Sequence, residues 1–510
     1  MRYSRRTFLE MASVAAASPL LLEPEAAAQR RPGAAGAKPP NIVFMLADDH
    51  RWDALGCMGN RVIQTPNLDQ LGRDGVIFDN HFTTTPICCA SRASYMLSQY
   101  AGTHGIYDFA TPLSPEQVAA AYWTQLKQAG YQVGFIGKFG VGNTMPSDSF
   151  DYWKGFPGQG NYFPQGPQGP HLSHIIRGQA QEFIRGAAKS QQPFCLSISF
   201  KAPHVQDQSP RQYLPAPEML DLYKDVTIPP VSRAPASDIE RLPLSLQHSE
   251  SRRRWGARFA TAALYQESVK GYYSLIAGND ATVAALRKTL GELGLSENTV
   301  IIYSADHGIC NGEHGLAGKW YPYEEDIRMP LLVYDPRQPA SERGTRRRAA
   351  TLNIDLHPTL LDLAGLQPPP SAQGQSLAGL IHNDDPEFRS VFFIEHDYPD
   401  NGWIPSSEAI RTERWKYTHW TGHTRPVTPF PAPYTAQAAP HEELYDLAHD
   451  PYEMHNLIDQ PQVARQQQAL SSYRQQWSES VHGMRGKTDR WTQPVTTADL
   501  RRDGLLKTIL

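Results

Sequence analysis

The 510-residue chain has only five cysteines, and no two of them form a Cys-x-x-Cys pair. This scarcity argues against a disulfide framework and against a zinc finger. An excess of charge of one sign is also lacking, because 48 Lys and Arg residues stand against 52 Asp and Glu residues, a formal net charge of −4. A general nucleic-acid-binding protein and a polybasic membrane protein are therefore not expected, and any anion site must be local.

The apolar stretch near the amino terminus is shorter than the roughly 20 residues that span a bilayer, and Ser18-Pro19 interrupts it. A basic start with the pair Arg5-Arg6 precedes it, and Ala26-Ala27-Ala28 follows it. This order resembles a twin-arginine (Tat) export signal with a small-residue cleavage site. We therefore expect a signal peptide over residues 1–28, passage through the Tat machinery and a periplasmic or secreted bacterial protein. A retained membrane anchor is the weaker alternative, and no stable anchor is expected.

Four apolar, β-rich runs each end in polar residues. They follow a Pro/Gly/Ala-rich linker over residues 29–40 and occupy Asn41–Ala47, Tyr131–Ile136, Phe194–Phe200 and Thr299–Ser304. Helical spacing of apolar residues over Ala262–Leu293 and Asn353–Gly365 places helices in the same region. The alternation predicts an α/β fold with a doubly wound, mainly parallel sheet. In such folds ligands bind beyond the carboxyl ends of the strands, where these polar residues lie.

The length of the chain exceeds what a single core supports, so two domains are expected. The pattern of polar strand ends stops near Pro368. Residues 41–368 are therefore predicted to form an amino-terminal catalytic domain, and residues 369–510 a smaller C-terminal α/β domain. Gly158–Gly169 and Phe430–Pro440 are rich in loop-forming residues and are expected on the surface.

The run Cys88-Cys89-Ala90-Ser91-Arg92, preceded by a Thr-rich segment, is the most informative part of the sequence. It resembles the signature of the type I sulfatases, in the alkaline-phosphatase-like superfamily. In that family a maturation enzyme oxidises this cysteine to formylglycine, and one oxygen of the hydrated aldehyde attacks sulfur. The simplest alternative is a buried free cysteine, which behaves as a small apolar residue.

The resemblance also implies a metal site. Asp48 and Asp49 follow the first strand and Asp306-His307 follows a late one, as the family's metal ligands do, with the modified Cys88 completing the set. Carboxylates are hard ligands that suit Ca²⁺, with Mg²⁺ or Mn²⁺ as alternatives. A lone Asp-Asp pair after a strand is more typical of a loop or a helix cap.

Four cations match family positions around the sulfate group: Arg92, Lys138, His204 and Lys319. The resemblance implies that Arg92 and Lys138 hold the nucleophile and depress its pKa. It implies that His204 and Lys319 bind sulfate and stabilise or protonate the leaving alcohol. Taken singly, each of the four is more typical of a solvated surface cation or a loop histidine. Four such residues in the family's order, each at a predicted strand end or in a Gly-rich loop, argue against that interpretation.

Two positions depart from the family pattern. Ala90 replaces the commoner proline of the signature, a form that a radical-dependent maturation enzyme also accepts. Gly140 stands where the family has the histidine that takes a proton when the sulfated intermediate collapses. His104, His50 and His314 are candidates for that base, and His104 and His314 are also candidate substrate contacts.

The sequence thus predicts an exported enzyme that hydrolyses sulfate esters, with a sulfated carbohydrate as the expected substrate. Expected partners are a formylglycine-generating enzyme and the Tat machinery, and no nucleic acid. One alternative is a phosphonate monoester or phosphodiester hydrolase of the same superfamily, and another is a non-catalytic binder of sulfated ligands. The aromatic residues that could stack on a sugar or pack between domains are Tyr162, Phe163, Trp403 and Trp420.

Overall fold

The computed structural model describes residues 38–207, 209–231, 234–385, 388–401, 403–422, 440–483 and 500. The predicted signal peptide, most of the predicted linker and nearly all of the predicted loop Phe430–Pro440 lie outside these ranges. Within the described part of the chain, no helix combines the length and the apolar character needed to cross a bilayer.

The strands, in chain order, are β1 (Asn41–Asp48), β2 (Val76–Phe82), β3 (Gln132–Lys138), β4 (Tyr152–Phe156), β5 (Phe194–Pro203), β6 (Thr299–Ala305), β7 (Cys310–Asn311), β8 (Ala317–Gly318), β9 (Arg328–Tyr334), β10 (Thr345–Leu352), β11 (Val391–His396), β12 (Ser406–Thr412), β13 (Trp415–Gly422) and β14 (His441–Asp446). The α-helices are α1 (Pro66–Asp74), α2 (Cys88–Leu97), α3 (Ala101–His104), α4 (Pro115–Ala120), α5 (Tyr122–Gln128), α6 (Leu172–Ala187), α7 (Leu244–Gln247), α8 (Glu250–Arg258), α9 (Ala262–Glu292), α10 (Glu324–Ile327), α11 (Leu356–Leu363), α12 (Ala378–His382) and α13 (Ala464–Gly483). The four strands and the two helices predicted from the sequence are all present, with ends shifted by at most three residues.

Eight strands form the main sheet in the order β10-β2-β9-β6-β1-β5-β3-β4. Pairing is parallel throughout except around β9, which runs antiparallel to β2 and to β6. The prediction of a doubly wound, mainly parallel sheet is therefore confirmed. The strand order places β6, β1, β5 and β3 side by side, so that four predicted polar strand ends meet at one edge.

Strand β1 shows why the sheet has a helical layer on each face. Its residues are buried throughout, and they alternate between two cores. Val43 and Met45 pack in one core, with residues of α6 and α9. Ile42 and Phe44 pack in the other, with residues of α5 and α11. An uninterrupted apolar run is what such a doubly covered strand requires.

Helix α9 is the longest of the described helices, and its ends follow the sequence. The Thr261 side chain accepts a hydrogen bond from the Leu264 amide and caps the amino terminus. Gly294, just beyond the helix, has φ +68°, a conformation that glycine adopts without a steric penalty.

A second sheet contains β11, β12, β13 and β14 in antiparallel order. Helix α13 packs against it, and the ring of Trp477 stacks on Phe393 with centroids 4.7 Å apart. This unit matches the predicted smaller C-terminal α/β domain. Leu380 and Ile381 of α12 still pack in the core of the main sheet. The boundary at residues 368 and 369 stays a prediction.

Candidate active site

Helix α2 carries the Cys88 signature through the interior of the molecule. All ten of its residues are buried, and Cys88 is its first residue. The Cys88 sulfur is 3.3 Å from Asp48 Oδ1 and 3.4 Å from His307 Nε2, and it accepts a hydrogen bond from Lys319 Nζ at 3.1 Å. A thiol surrounded by a carboxylate, an imidazole and an ammonium lies in a polar site and not in an apolar core.

The predicted metal ligands lie together around this thiol. Asp48, Asp49, Cys88 and His307 each place a ligand atom within 4.8 Å of the others. Asp306 lies beside them, where its Oδ1 accepts a hydrogen bond from the Asp49 amide at 3.1 Å. The structure thus brings all five predicted metal ligands together, although Asp306 also forms a salt bridge with Arg92.

The donor set fits a divalent cation. His307 Nδ1 donates to the Gly308 carbonyl at 2.9 Å, which in the neutral ring leaves the Nε2 lone pair facing Cys88. The carboxylates of Asp48 and Asp49 are buried and point into the same space. Burial opposes the charge of His307, but Asp306 and Cys88 together raise the pKa of His307 to about 9, so a proton competes with a cation for this nitrogen.

Arg92 lies one helical turn after Cys88 and holds the carboxylates in place. Its Nε donates to Asp306 Oδ2 at 3.0 Å, and a terminal nitrogen is 3.4 Å from Asp48 Oδ2. Its other terminal nitrogen donates to the Lys138 carbonyl at 2.9 Å and to the Ser199 hydroxyl. The guanidinium therefore ties α2 to the ends of β1, β3, β5 and β6.

Lys138 ends β3 and reaches the same cluster. Its Nζ is paired with Asp48 and donates to Gln159 Oε1 at 2.6 Å. Lys138 and other nearby cations overcome burial and hold the pKa of Asp48 well below its usual range. Gln159 belongs to the predicted surface loop after β4, so this loop reaches into the site.

Lys319 lies between Cys88 and the predicted metal ligand Asp49. Its Nζ donates to Asp49 Oδ1 at 2.7 Å as well as to the Cys88 sulfur. Burial opposes its charge, but Asp49 and Cys88 raise the pKa of Lys319 above its usual value. Lys319 is therefore protonated and acts as a hydrogen-bond donor.

His204 reaches the cluster at the carboxylate of Asp49. Its Nδ1 donates to the Val205 carbonyl at 2.7 Å, and its Nε2 is 3.7 Å from Asp49 Oδ2. Burial and the charge of Lys319 hold the pKa of His204 well below its usual range. The ring is thus neutral and presents an unprotonated Nε2 to the site.

The three histidines considered as bases lie elsewhere. His50 bonds the Tyr303 hydroxyl and the Ala54 carbonyl through its two ring nitrogens. His104 accepts from the Ile106 amide through Nδ1, and its Nε2 bonds Ser94, while burial lowers its pKa to about 3.

His314 bonds Asp238 at 2.7 Å and stacks on Tyr323. His104 contacts Ala90 and Ser94 of α2, but none of the contacts described for His50, His104 or His314 reaches Cys88, Asp48, His307 or Lys319. Their suggested roles as base or substrate contacts therefore gain no support from the geometry.

Gly140 has φ +76°, and a Cβ built there would lie 2.6 Å from Arg92 Cδ. The backbone path in this chain therefore leaves no room for the family's histidine beside Arg92. Ala90, by contrast, lies in the first turn of α2, where both proline and alanine are compatible with a helix.

Two of the suggested sugar-stacking aromatics are internal. Tyr162 is buried, and its hydroxyl donates to the His204 carbonyl at 2.5 Å. Trp420 is buried against Tyr321 and stacks on His441. Both act in packing. Phe163 and Trp403 are partly exposed.

Sequence reasoning overlooked two polar residues of the site. Gln159, bonded to Lys138, lies in a Gly-rich segment without periodicity, which gave no signal. Lys201 lies near the carboxyl end of β5 and is 1% exposed. Its place at a strand end was the available signal.

Comparison with known proteins places this site in a family. A family model described as Sulfatase matches residues 40–366, and one described as N-sulphoglucosamine sulphohydrolase, C-terminal, matches residues 312–479. An N-acetylglucosamine-6-O-sulfatase of Bacteroides thetaiotaomicron is 27% identical over 503 residues, which cover 85% of this chain and 85% of that protein.

Two solved structures resemble the overall fold. One protein, in complex with its substrate D-glucosamine-2-N,6-O-disulfate, superposes with a TM-score of 0.72 at 25% identity over 88% of this chain and 99% of that one. A phosphonate monoester hydrolase from Silicibacter pomeroyi gives 0.71 at 20% identity over 88% and 96%, a likeness of fold alone. Since the Sulfatase model covers more than half of the residues and matches the part that holds Cys88 and its neighbours, the chain belongs to the sulfatase family, sulfuric ester hydrolases of the alkaline-phosphatase-like superfamily.

Proposed function

We propose that this sulfatase removes sulfate from a sulfated carbohydrate, using a formylglycine derived from Cys88 and a divalent metal ion. One observation carries the proposal: the Cys88 sulfur lies in contact with Asp48, His307 and Lys319, where predicted metal ligands and a predicted sulfate-binding cation meet. A carbohydrate substrate is supported by the N-acetylglucosamine-6-O-sulfatase relative and by the solved structure that holds a disulfated glucosamine.

The metal would be held by Asp48, Asp49, Asp306 and His307, together with the modified Cys88. We propose Ca²⁺, with Mg²⁺ or Mn²⁺ as alternatives, because carboxylate oxygens dominate the donor set. A bound dication would neutralise the negative oxygens that make a sulfate ester a poor electrophile, and formylglycine would supply the attacking oxygen.

The cations of the chain have separate tasks in this proposal. Arg92 and Lys138 orient the nucleophile position, since both are anchored to Asp48. Lys319 stabilises negative charge next to residue 88, where it already donates to the sulfur. His204 presents Nε2 to the leaving-group side, and an anionic substrate would favour protonation of that nitrogen before it donates a proton to the leaving alcohol.

The burial of Cys88 bears on maturation. Its side chain has no exposed surface, so a modifying enzyme has no access to it in the folded chain. We propose that a formylglycine-generating enzyme, which supplies the oxidant, converts the CH₂–SH group to an aldehyde with loss of sulfur before folding. Export of the folded protein by the Tat route to the periplasm or beyond would follow.

The first test is mass spectrometry of the peptide that spans Cys88, in protein from an exporting host. The proposal expects loss of the thiol sulfur and gain of an aldehyde. An intact thiol in an active enzyme would contradict it, and an intact thiol in an inactive protein that binds sulfated ligands would favour the non-catalytic binder.

A matched pair of variants tests the assignment of residue 88. Cys88→Ala should abolish turnover, whereas Cys89→Ala, at a neighbouring buried cysteine in an apolar cluster, should leave it near the wild-type level. Paired assays on aryl sulfate and aryl phosphonate, with glucosamine 6-sulfate as the carbohydrate probe, separate a sulfatase from a phosphonate hydrolase. A preference for the phosphonate would overturn the proposed substrate class.

A further inference from the structure

Lys201 is a buried cation that has no role in the proposed mechanism. It lies on β5, between the strands that deliver Asp48 and Lys138, and its side chain is 1% exposed. Its Nζ donates one hydrogen bond, to the Val205 carbonyl at 3.0 Å, and lies 5.0 Å from the centroid of the Tyr162 ring. The carbonyl and the ring are both neutral partners.

Among the residues that the structure describes, no carboxylate lies within 4.0 Å of this ammonium. The three carboxylates in electrostatic range are Asp48, Asp49 and Asp207. Each is already paired with another cation: Asp48 with Lys138, Asp49 with Lys319, and Asp207 with Arg258. An ammonium buried without a counter-ion is costly, because burial removes its hydration.

The surroundings of Lys201 favour the binding of an anion nearby. Burial and the neighbouring charge of Lys138 lower the pKa of Lys201 to about 8. The carbonyl that accepts from Lys201 also accepts from His204 Nδ1, which places both side chains on one backbone anchor. Lys201 is thus attached to the segment that is proposed to bind sulfate.

We propose that Lys201 supplies a further positive charge to the sulfate-binding pocket and that the bound sulfate group is its counter-ion. The inference rests on the proposed sulfate-binding role of His204 and Lys319. Lys201 is an electrostatic positioning residue in this account. The proposal predicts that removing its charge changes stability and anion binding in opposite directions. Removing the charge relieves an unpaired buried ammonium and at the same time weakens sulfate binding.

The test is calorimetric titration of inorganic sulfate into the full-length, calcium-loaded protein and its variants. Lys201→Met removes the charge, and Lys201→Gln removes it while keeping an N–H donor. Both should bind sulfate about tenfold more weakly, given the strength of a charge interaction in a partly buried site. The melting temperature without sulfate should be equal to or higher than that of the wild type.

Lys154→Met is the matched control, since Lys154 also lies over a tyrosine ring but is exposed to solvent. It should bind sulfate as the wild type does. Sulfate affinity within twofold of wild type in both Lys201 variants would overturn the inference while leaving the proposed function intact. A wild-type protein that binds no sulfate would overturn the pocket itself, and the inference with it.

Discussion

The ammonium nitrogen of Lys319 lies 3.1 Å from the sulfur of Cys88. It also donates to Asp49, a carboxylate of the predicted metal site, so one side chain joins the predicted nucleophile to the predicted metal ligands. This arrangement makes Lys319 a donor that is held in place before substrate arrives, which is what stabilisation of developing charge requires.

Lys319→Met should lower kcat/KM by about a hundredfold to a thousandfold, the usual effect of removing one oriented donor from a reaction centre. Steady-state kinetics on an aryl sulfate measure this. Lys288→Met, at a lysine of α9 that is 78% exposed, should leave kcat/KM unchanged. Equal activities of the two variants would remove Lys319 from the mechanism.

Gly140→Ala should lower both the melting temperature and the activity. The residue has φ +76°, which costs a non-glycine residue roughly 1–2 kcal/mol, and the new Cβ would press on Arg92. Gly140→His should likewise fall below wild-type activity, although it adds the histidine that the family has there. Recovery of faster turnover in that variant would show that the backbone can adapt.

Gly178→Ala provides the control for that pair. Gly178 lies within α6, and a Cβ there meets no atom within 4 Å. Alanine should stabilise this helix by roughly 0.5–1 kcal/mol, since glycine loses more backbone freedom on folding. Thermal denaturation of both alanine variants would compare a strained glycine with a replaceable one.

Asp49→Asn should weaken Ca²⁺ binding at least about tenfold, because it removes a charged ligand from a buried site. Titration of metal into EDTA-treated protein, followed by the melting temperature, gives the affinity. Asp221→Asn, at a carboxylate that is 83% exposed, should bind Ca²⁺ as the wild type does. An unchanged affinity in Asp49→Asn would place the metal elsewhere.

The stability that Glu443 contributes should fall as the pH rises from about 4.5 to 7. Burial raises the pKa of Glu443 from its usual 4.5 to about 7, so in this window the folded chain binds a proton that the unfolded chain has lost. The stability from this group is fully present below pH 4.5 and is lost as the pH rises through 7. Each such carboxyl contributes at most about 1.4 kcal/mol per pH unit.

Melting temperatures measured across this range test the point. The melting temperature of the wild type relative to that of Glu443→Gln should fall as the pH rises through this range, whereas relative to Glu479→Gln, at an exposed residue of α13, it should stay constant. A difference between wild type and Glu443→Gln that stays constant from pH 4.5 to 7 would show that Glu443 is ionised in the folded protein.

The main sheet was predictable because its central strands are buried on both faces. A strand such as β1 must then be apolar throughout, and its first polar residues mark its end at the ligand-binding edge. The reversed direction of β9 was not predictable, since Arg328–Tyr334 has the same apolar character whichever way it runs. Local composition carries no information about strand direction.

The site was predictable where a residue type matched a known signature, as at Cys88 and Arg92. It was not predictable where a residue acts through tertiary contact alone. Tyr162 was considered for sugar stacking because it lies in a polar loop, yet the fold turns its hydroxyl inward onto the His204 carbonyl. Gln159 reaches Lys138 from the same loop, and nothing in its neighbours along the chain indicates this.

The proton on Nδ1 of His204 is fixed by a main-chain oxygen, that of Val205. No side-chain substitution at position 205 deletes this acceptor, so a point mutation there leaves the hydrogen bond that sets the tautomer of the His204 ring. The Val205 side chain packs in an apolar core, whereas the tautomer of His204 depends on the path of the backbone. Replacing the amide between Val205 and Gln206 by an ester weakens the Val205 oxygen as an acceptor without changing a side chain. This part of the site is sensitive to that chemical change.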